Sequence, residues 1–340
     1  MKQTIVGYGE VMLRLTPNDH GSLIEQSDVL KMAFAGAEAN ILCNLACLGH
    51  TTQFVSSFPK NPIGRSANQF LHSIGVGTNF MNWDEGRMGT YFIEHGTSIR
   101  STRVTYDRTN SSVSKLVIAQ EVWGKVLSNA SYLVLTGITP ALSAICKKNI
   151  ETALVVAKKE KVKVVFDLNY RRTLWPKEEA KNSFVNFLPY VDLLFANIGS
   201  AYDVFNIPIK EINGFTDLED ASIASAKALY EFGDFDMIGM TIRQQNSAQK
   251  HLLGGLVTNG TANYLSSKLS CEVVDRLGGG DAFVTGVLHG LIRGWNYEKM
   301  INFATAAFAT TQTLKGDINY MTEEELLAIS SGDTLGFIKR

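Results

Sequence analysis

Cysteine, net charge and long apolar runs are all scarce in this chain. Its four cysteines, Cys43, Cys47, Cys146 and Cys271, stand among apolar neighbours. Cys43 and Cys47 are spaced to share one helix face, but no matching His or Cys pair lies nearby, so buried structural thiols are expected and a metal clip is not. Charged residues make up 19% of the sequence and the formal net charge is −1. Nucleic-acid binding would call for a basic excess, and none exists. No apolar run approaches the roughly 18 to 20 residues that cross a bilayer. Met1-Lys2-Gln3-Thr4-Ile5-Val6-Gly7 presents one lysine and then a short strand, unlike a signal peptide. A cytoplasmic protein with neither nucleic-acid nor membrane partners is expected, with no metal held by its own side chains.

Apolar residues, by contrast, make up 45% of the 340 positions, enough for one large core. Strand and helix patterns alternate along most of the length. Ile5–Gly9, Tyr132–Leu135, Val162–Asp167, Val191–Ala196 and Asp236–Ile242 read as strands, and Ala39–Leu48 and Lys147–Lys161 as helices. This rhythm predicts an α/β fold, a parallel sheet covered by helices on both faces. Two stretches break it. Residues 11–34 and 89–106 alternate in the manner of strands with no helix between them, which predicts a small antiparallel sheet serving as a lid on a single domain spanning 1–340. An edge extension of the main sheet is the alternative.

The densest chemical signal is Asp275-Arg276-Leu277-Gly278-Gly279-Gly280-Asp281, read as a strand ending at Asp275, a glycine turn, and a helix starting near Asp281. Unshielded N–H groups at a helix start favour an anion, and Asp281 would set a carboxylate beside it. Asp281 as a simple helix cap is the bland reading, but a cap does not require three glycines, each costly in backbone entropy. No Gly-Lys-Ser/Thr follows, so this is not a Walker loop. Gly7-Tyr8-Gly9 lacks the third glycine and following helix of a dinucleotide-binding turn, which argues against a dehydrogenase.

The glycine turn resembles the C-terminal signature of the ribokinase (PfkB) family, usually Asp-Thr-x-Gly-Ala-Gly-Asp. Ala35-Gly36-Ala37-Glu38-Ala39-Asn40, followed by Leu45-Ala46-Cys47-Leu48-Gly49, resembles its N-terminal signature. The resemblance covers nearly the whole chain. It implies a ribokinase-like three-layer α/β/α sandwich with a mostly parallel central sheet and a β-sheet lid, and an enzyme using ATP and Mg2+. By it, Asp281 is the general base, and Gly278, Gly279 and Gly280 hold the charge on the transferred phosphoryl group. Asn197, Thr241, Arg243 and Thr305 would meet the nucleotide.

Within the family the chain is most similar to 2-keto-3-deoxygluconate kinases, through Gly137–Ser143, Asp167–Trp175 and Arg103–Arg108. That implies phosphorylation of a small sugar acid at its terminal 6-hydroxyl. Arg108 and Arg171 would grip the carboxylate, as forked guanidinium groups do. Tyr91 and Tyr106 would contact the substrate from the lid, with Gly36 and Asn40 at its hydroxyls. Arg171 and Arg172 could instead merely pair with surface acids. Arg14 stands where members acting on neutral sugars commonly carry Asp, and could face a sugar acid or be a solvated strand residue. The resemblance also implies a homo-oligomer formed through the lid. Fructokinase or other sugar-kinase activity, and a non-catalytic sugar-acid binding protein, are the alternatives.

Three places depart from the family pattern. Asn197-Ile198-Gly199-Ser200 lacks the acid usual at the position of Ser200, which helps to order magnesium. Thr241–Ser247 stands where many members have Gly-x-x-Gly, and Asn61-Pro62-Ile63-Gly64 where Asp-x-x-Gly is usual.

Overall fold

A computed structural model describes residues 4–333. In chain order its longer elements are β1 (Thr4–Tyr8), β2 (Met12–Pro17), β3 (Leu30–Ala35), α1 (Ala37–Cys47), β4 (Thr51–Pro59), α2 (Pro62–Ile74), β5 (Val76–Asp84), β6 (Thr90–Glu94) and β7 (Arg103–Asp107). There follow α3 (Gln120–Leu127), β8 (Ala130–Thr136), α4 (Ala144–Glu160), β9 (Lys163–Asp167), α5 (Lys177–Phe187), β10 (Leu193–Ala196), α6 (Ile198–Phe205) and α7 (Phe215–Leu229). The last third holds β11 (Met237–Gln245), β12 (Lys250–Thr258), β13 (Asn263–Leu265), β14 (Leu269–Glu272), α8 (Gly279–Ile292), α9 (Tyr297–Thr311) and α10 (Glu323–Ser330).

The large sheet runs β13-β12-β11-β10-β9-β8-β1-β4-β5, with β14 beside β12. From β11 to β5 every pairing is parallel, and β12 turns the edge antiparallel. Alternate side chains of one strand enter different cores. Val164 and Phe166 pack with α3 to α7, whereas Val165 packs on the opposite face with α1, α8 and α9. Burial on both faces is why the central strands read as continuous apolar runs. Strand order reverses between β8 and β1. In open sheets of this kind ligands bind beyond the carboxyl ends of the strands near such a reversal.

The four remaining strands form a separate sheet in the order β3-β2-β6-β7. It corrects the wholly antiparallel expectation, since β2 and β6 pair in parallel, Leu13 opposite Thr90. The alternation of residues sets which face is apolar but says nothing of a neighbour's direction. The edge-extension alternative falls with the same observation. Among the described residues no helix is long and apolar enough to cross a membrane.

Candidate active site

The turn into α8 differs in detail from its sequence reading. The strand ends at Glu272, and Asp275 is a buried loop residue only 1% exposed. Gly278 is the residue at the mouth of the helix, with φ +74°, and a Cβ there would overlap the Asp317 carbonyl oxygen. Both facts require glycine. Gly279, Gly280 and Asp281 form the first helical turn, whose N–H groups have no intrahelical acceptor and donate to no side chain among the described residues. A Cβ added at Gly280 would meet open space.

Asp281 does not cap this helix. Its carboxylate instead accepts a 2.7 Å hydrogen bond from Asn40 Nδ2 in α1. The other end of that amide, Oδ1, accepts the N–H of Gly36 at 3.2 Å. Gly36 in turn lies so close to the Glu10 carbonyl that any side chain would overlap it. The two signatures, read 241 positions apart, therefore meet through one amide group. Burial pushes the Asp281 carboxyl well above the usual carboxylate range. The Asn40 hydrogen bond opposes this, while Asp167 and Asp317 add to it. A poised base of this kind, set beside free helix N–H groups, can take a proton from a hydroxyl next to a bound anion.

Around this point opens a cavity of about 670 Å³. Tyr106, Arg171, Asn197, Thr241, Arg243, Gly278, Gly279, Gly280 and Asp281 all line it. Gly36 and Asn40 lie behind Asp281 through the contacts just described. Arg108 is buried, and its Nε and Nη2 donate to Glu10 Oε2 at 2.8 and 2.5 Å. Its guanidinium also sits 5.5 Å from the centre of the Tyr106 ring. Tyr91 stacks on Tyr106 but turns its hydroxyl to Asp317, 3.4 Å away. Thr305 lies apart: it is fully buried between α9 and β12, where a Cβ on Gly255 would approach its hydroxyl at 2.9 Å, and it does not line the cavity.

Arg14 matches neither of its expected settings. It is 4% exposed and ion-pairs with both Asp275 and Asp317. Arg172 reaches Asp203 at 3.2 Å on the surface, whereas Arg171 has no carboxylate within 4 Å among the described residues. Ser200 explains how α6 tolerates the missing acid. Asn197 Oδ1 accepts the Ser200 N–H at 2.9 Å, and Ser200 Oγ accepts the Asn197 N–H at 3.1 Å. The reciprocal cap is kept with a hydroxyl in place of a carboxylate. Asn61 likewise caps α2, accepting from the Gly64 N–H at 3.0 Å.

Three lining residues are assigned no role by the sequence although all stand within its motifs. Asp167 ends β9 in the cavity wall, where burial pushes its carboxyl up to about 6. An acid closing an apolar central strand was the available signal. Asn169 follows in the left-handed region at φ +30°, which bends the chain along the wall. Arg276 is the third, in the cavity wall just before the glycine turn.

The free N–H groups and the open space at Gly280 fit a polyphosphate. Among the described residues no group of three or more His, Cys, Asp or Glu side chains could hold a metal. Asp167 and Asn197 therefore fit a hydrated cation carried in on phosphate rather than one caged by protein.

Comparison with known proteins points to one family. The model of the pfkB family of carbohydrate kinases matches residues 2–324. A 2-dehydro-3-deoxygalactonokinase of Haloferax volcanii is 30% identical over 337 residues, 99% of each chain. A 2-dehydro-3-deoxygluconokinase of Bacillus subtilis is 28% identical, covering 96% of this chain and 95% of the relative. The solved 2-dehydro-3-deoxygluconokinase of Thermotoga maritima superposes with a TM-score of 0.91 at 34% identity, over 97% of this chain and 100% of that one.

Proposed function

We propose that this chain, which belongs to the pfkB family of carbohydrate kinases, transfers the terminal phosphoryl group of ATP to the 6-hydroxyl of 2-keto-3-deoxygluconate. The observation that carries the reading is the Asn40–Asp281 hydrogen bond at the open start of α8. Asp281 accepts the hydroxyl proton as the sugar oxygen bonds to phosphorus and ADP departs. The N–H groups of Gly279, Gly280 and Asp281 take up charge on the transferred group, a stabilisation built in before reaction. Asn40 holds the carboxylate in place, and ATP supplies the phosphoryl group when bound. A magnesium ion entering on its phosphates would find Asp167 and Asn197 in the wall.

The sugar acid is read from arginine. Glu10 takes two of the five N–H donors of Arg108; Arg108 is not itself in the cavity wall and meets it through the ring of Tyr106. Arg171 has no carboxylate partner and lines the cavity. Tyr106, backed by Tyr91, supplies an apolar face from the small sheet, which acts as a lid that keeps water from the transferred group. Thr241 and Arg243 line the nucleotide end. Relatives named for gluconate- and galactonate-derived substrates are both similar to this chain, so the two epimers compete as substrates. A coupled assay with ATP and each keto-acid tests the reading. Phosphorylation of fructose with both keto-acids inert would overturn it, and no transfer to any sugar would favour a binding protein.

Copies of the chain are also proposed to associate through the small sheet, where Val29 and Met32 stand 60% and 57% exposed. Light scattering on Met32→Glu tests this, with a fall in mass expected.

A further inference from the structure

The two most deeply buried arginines among the described residues are both paired with acid. Arg14 has Asp275 and Asp317, and Arg108 has Glu10. The cavity wall differs, with Arg243 and Arg276 partly buried and Arg171 exposed. Arg171 from the loop after β9, Arg243 from β11 and Arg276 from the glycine turn all line it, and among the described residues none has a carboxylate within 4 Å. Nor are they far enough apart to ignore one another. Burial first, then Arg276 and Arg171, push Arg243 down to about 10. Burial and Arg171 push Arg276 down as well. These like charges oppose one another across the cavity, with Arg171 alone drawn toward the carboxyls of Asp167 and Asp281, and a polyanion would relieve them.

Arg276 is the one nearest the chemistry in the chain. It stands two residues before Gly278, which begins the helix whose third residue is Asp281. Its neighbour Asp275 is fixed by Arg14, and the Asp275 carboxylate also accepts the N–H of Gly316 at 3.1 Å. The backbone carrying Arg276 is therefore anchored on both sides while its side chain stays half-buried in the cavity wall. Resting on the phosphotransfer reading above, we infer that Arg276 grips the terminal phosphate of the bound nucleotide, and that it makes the site prefer a triphosphate to a diphosphate. A guanidinium suits this task because two parallel N–H groups meet two phosphate oxygens.

Isothermal titration of the full chain with ATP, ADP and the keto-acid, each alone so that no turnover occurs, tests the inference in wild type, Arg276→Gln and Arg276→Lys. ATP affinity should fall about 10- to 100-fold in Arg276→Gln, the loss expected for charge-assisted hydrogen bonds, with ADP affinity nearly unchanged. Arg276→Lys should recover part of it. Equal losses for ATP and ADP, or no loss, overturn the inference and leave the kinase reading intact. Loss of keto-acid binding alone would assign the guanidinium to the sugar acid and also overturn it. A wild type that binds no nucleotide overturns both. Melting of each variant alongside wild type separates a folding defect from a binding one, since only the former lowers the melting temperature.

Discussion

Arg14 in β2 and Asp317, 303 residues later, form a buried ion pair that ties the small sheet to the glycine turn. The Asp317 side chain holds the arginine, while its carbonyl lies against Gly278. Tyr91 and His95 border the same cluster, His95 Nε2 lying 3.7 Å from Asp275. Burial, then Arg14 and His20, push His95 down to about 4, so it is neutral at pH 7.

Removing Arg14 strands two buried carboxylates. Arg14→Ala should lower stability by about 3–5 kcal/mol, as losing one partner of a buried pair does. Asp317→Asn should cost less, because Asp275 still neutralises the arginine. Urea denaturation of the three proteins checks the order; a loss under about 1 kcal/mol for Arg14→Ala would contradict it.

Asp281→Asn keeps the size and the Asn40 neighbour but cannot accept a proton. Turnover should drop about 10²–10⁴-fold with a far smaller change in substrate KM. Because burial raises the Asp281 pKa, wild-type kcat/KM should climb with pH along a limb displaced above the ordinary carboxylate range. That limb should be missing from the residual activity of the variant. A pH-rate profile of both proteins decides.

Glu38 is fully enclosed in α1, and its Oε1 accepts hydrogen bonds from Thr136 at 2.8 Å and Thr139 at 2.6 Å. Burial nevertheless pushes its carboxyl up to about 7 from the ordinary 4.5. The folded state then holds a proton that the unfolded chain releases. Stability linked to Glu38 is complete below pH 4.5 and is lost as pH rises through 7, by roughly 3 kcal/mol in all. Glu38→Gln keeps an oxygen for both hydroxyls and removes that dependence. The variant should gain on wild type between pH 5 and pH 8 in denaturant titrations; a constant difference across that range would refute the assignment.

Gly278 and Gly280 should respond differently to alanine. At Gly278 the left-handed backbone alone costs about 1–2 kcal/mol, and the methyl group also overlaps Asp317, so melting temperature and activity should both fall. Gly280→Ala meets no protein atom, so the fold should be kept while the methyl group intrudes where phosphate would bind. Thermal melts beside nucleotide titrations separate the two; a stable, fully active Gly278→Ala would be the contrary result.

Period-2 and period-3.6 patterns carried the layered fold, because burial on both sheet faces writes itself into every central strand. The glycine turn and Asn40 were legible for a different reason: their residue types are unusual enough locally to signal backbone approach and chemistry. What stayed hidden depended on remote partners. Arg14 looked like a solvated or substrate-facing residue, since Asp275 and Asp317 lie 261 and 303 positions away and nothing near it marks the pairing. The parallel join of β2 to β6 was hidden for the same reason. Arg276 was in plain view inside the quoted motif, but its meaning came only when Arg171 and Arg243 were found unpaired beside it.

The contact between Asn40 and Asp281 also bears on how the protein is made. The amide that steadies the acceptor leaves the ribosome long before the acceptor itself, and Asp317, which buttresses Gly278, follows later still. A chain halted between residues 50 and 280 would carry the earlier signature without the carboxylate that Asn40 contacts. On the reading proposed above, such fragments could not transfer phosphate, because the proton acceptor is among the last parts of the site to be made.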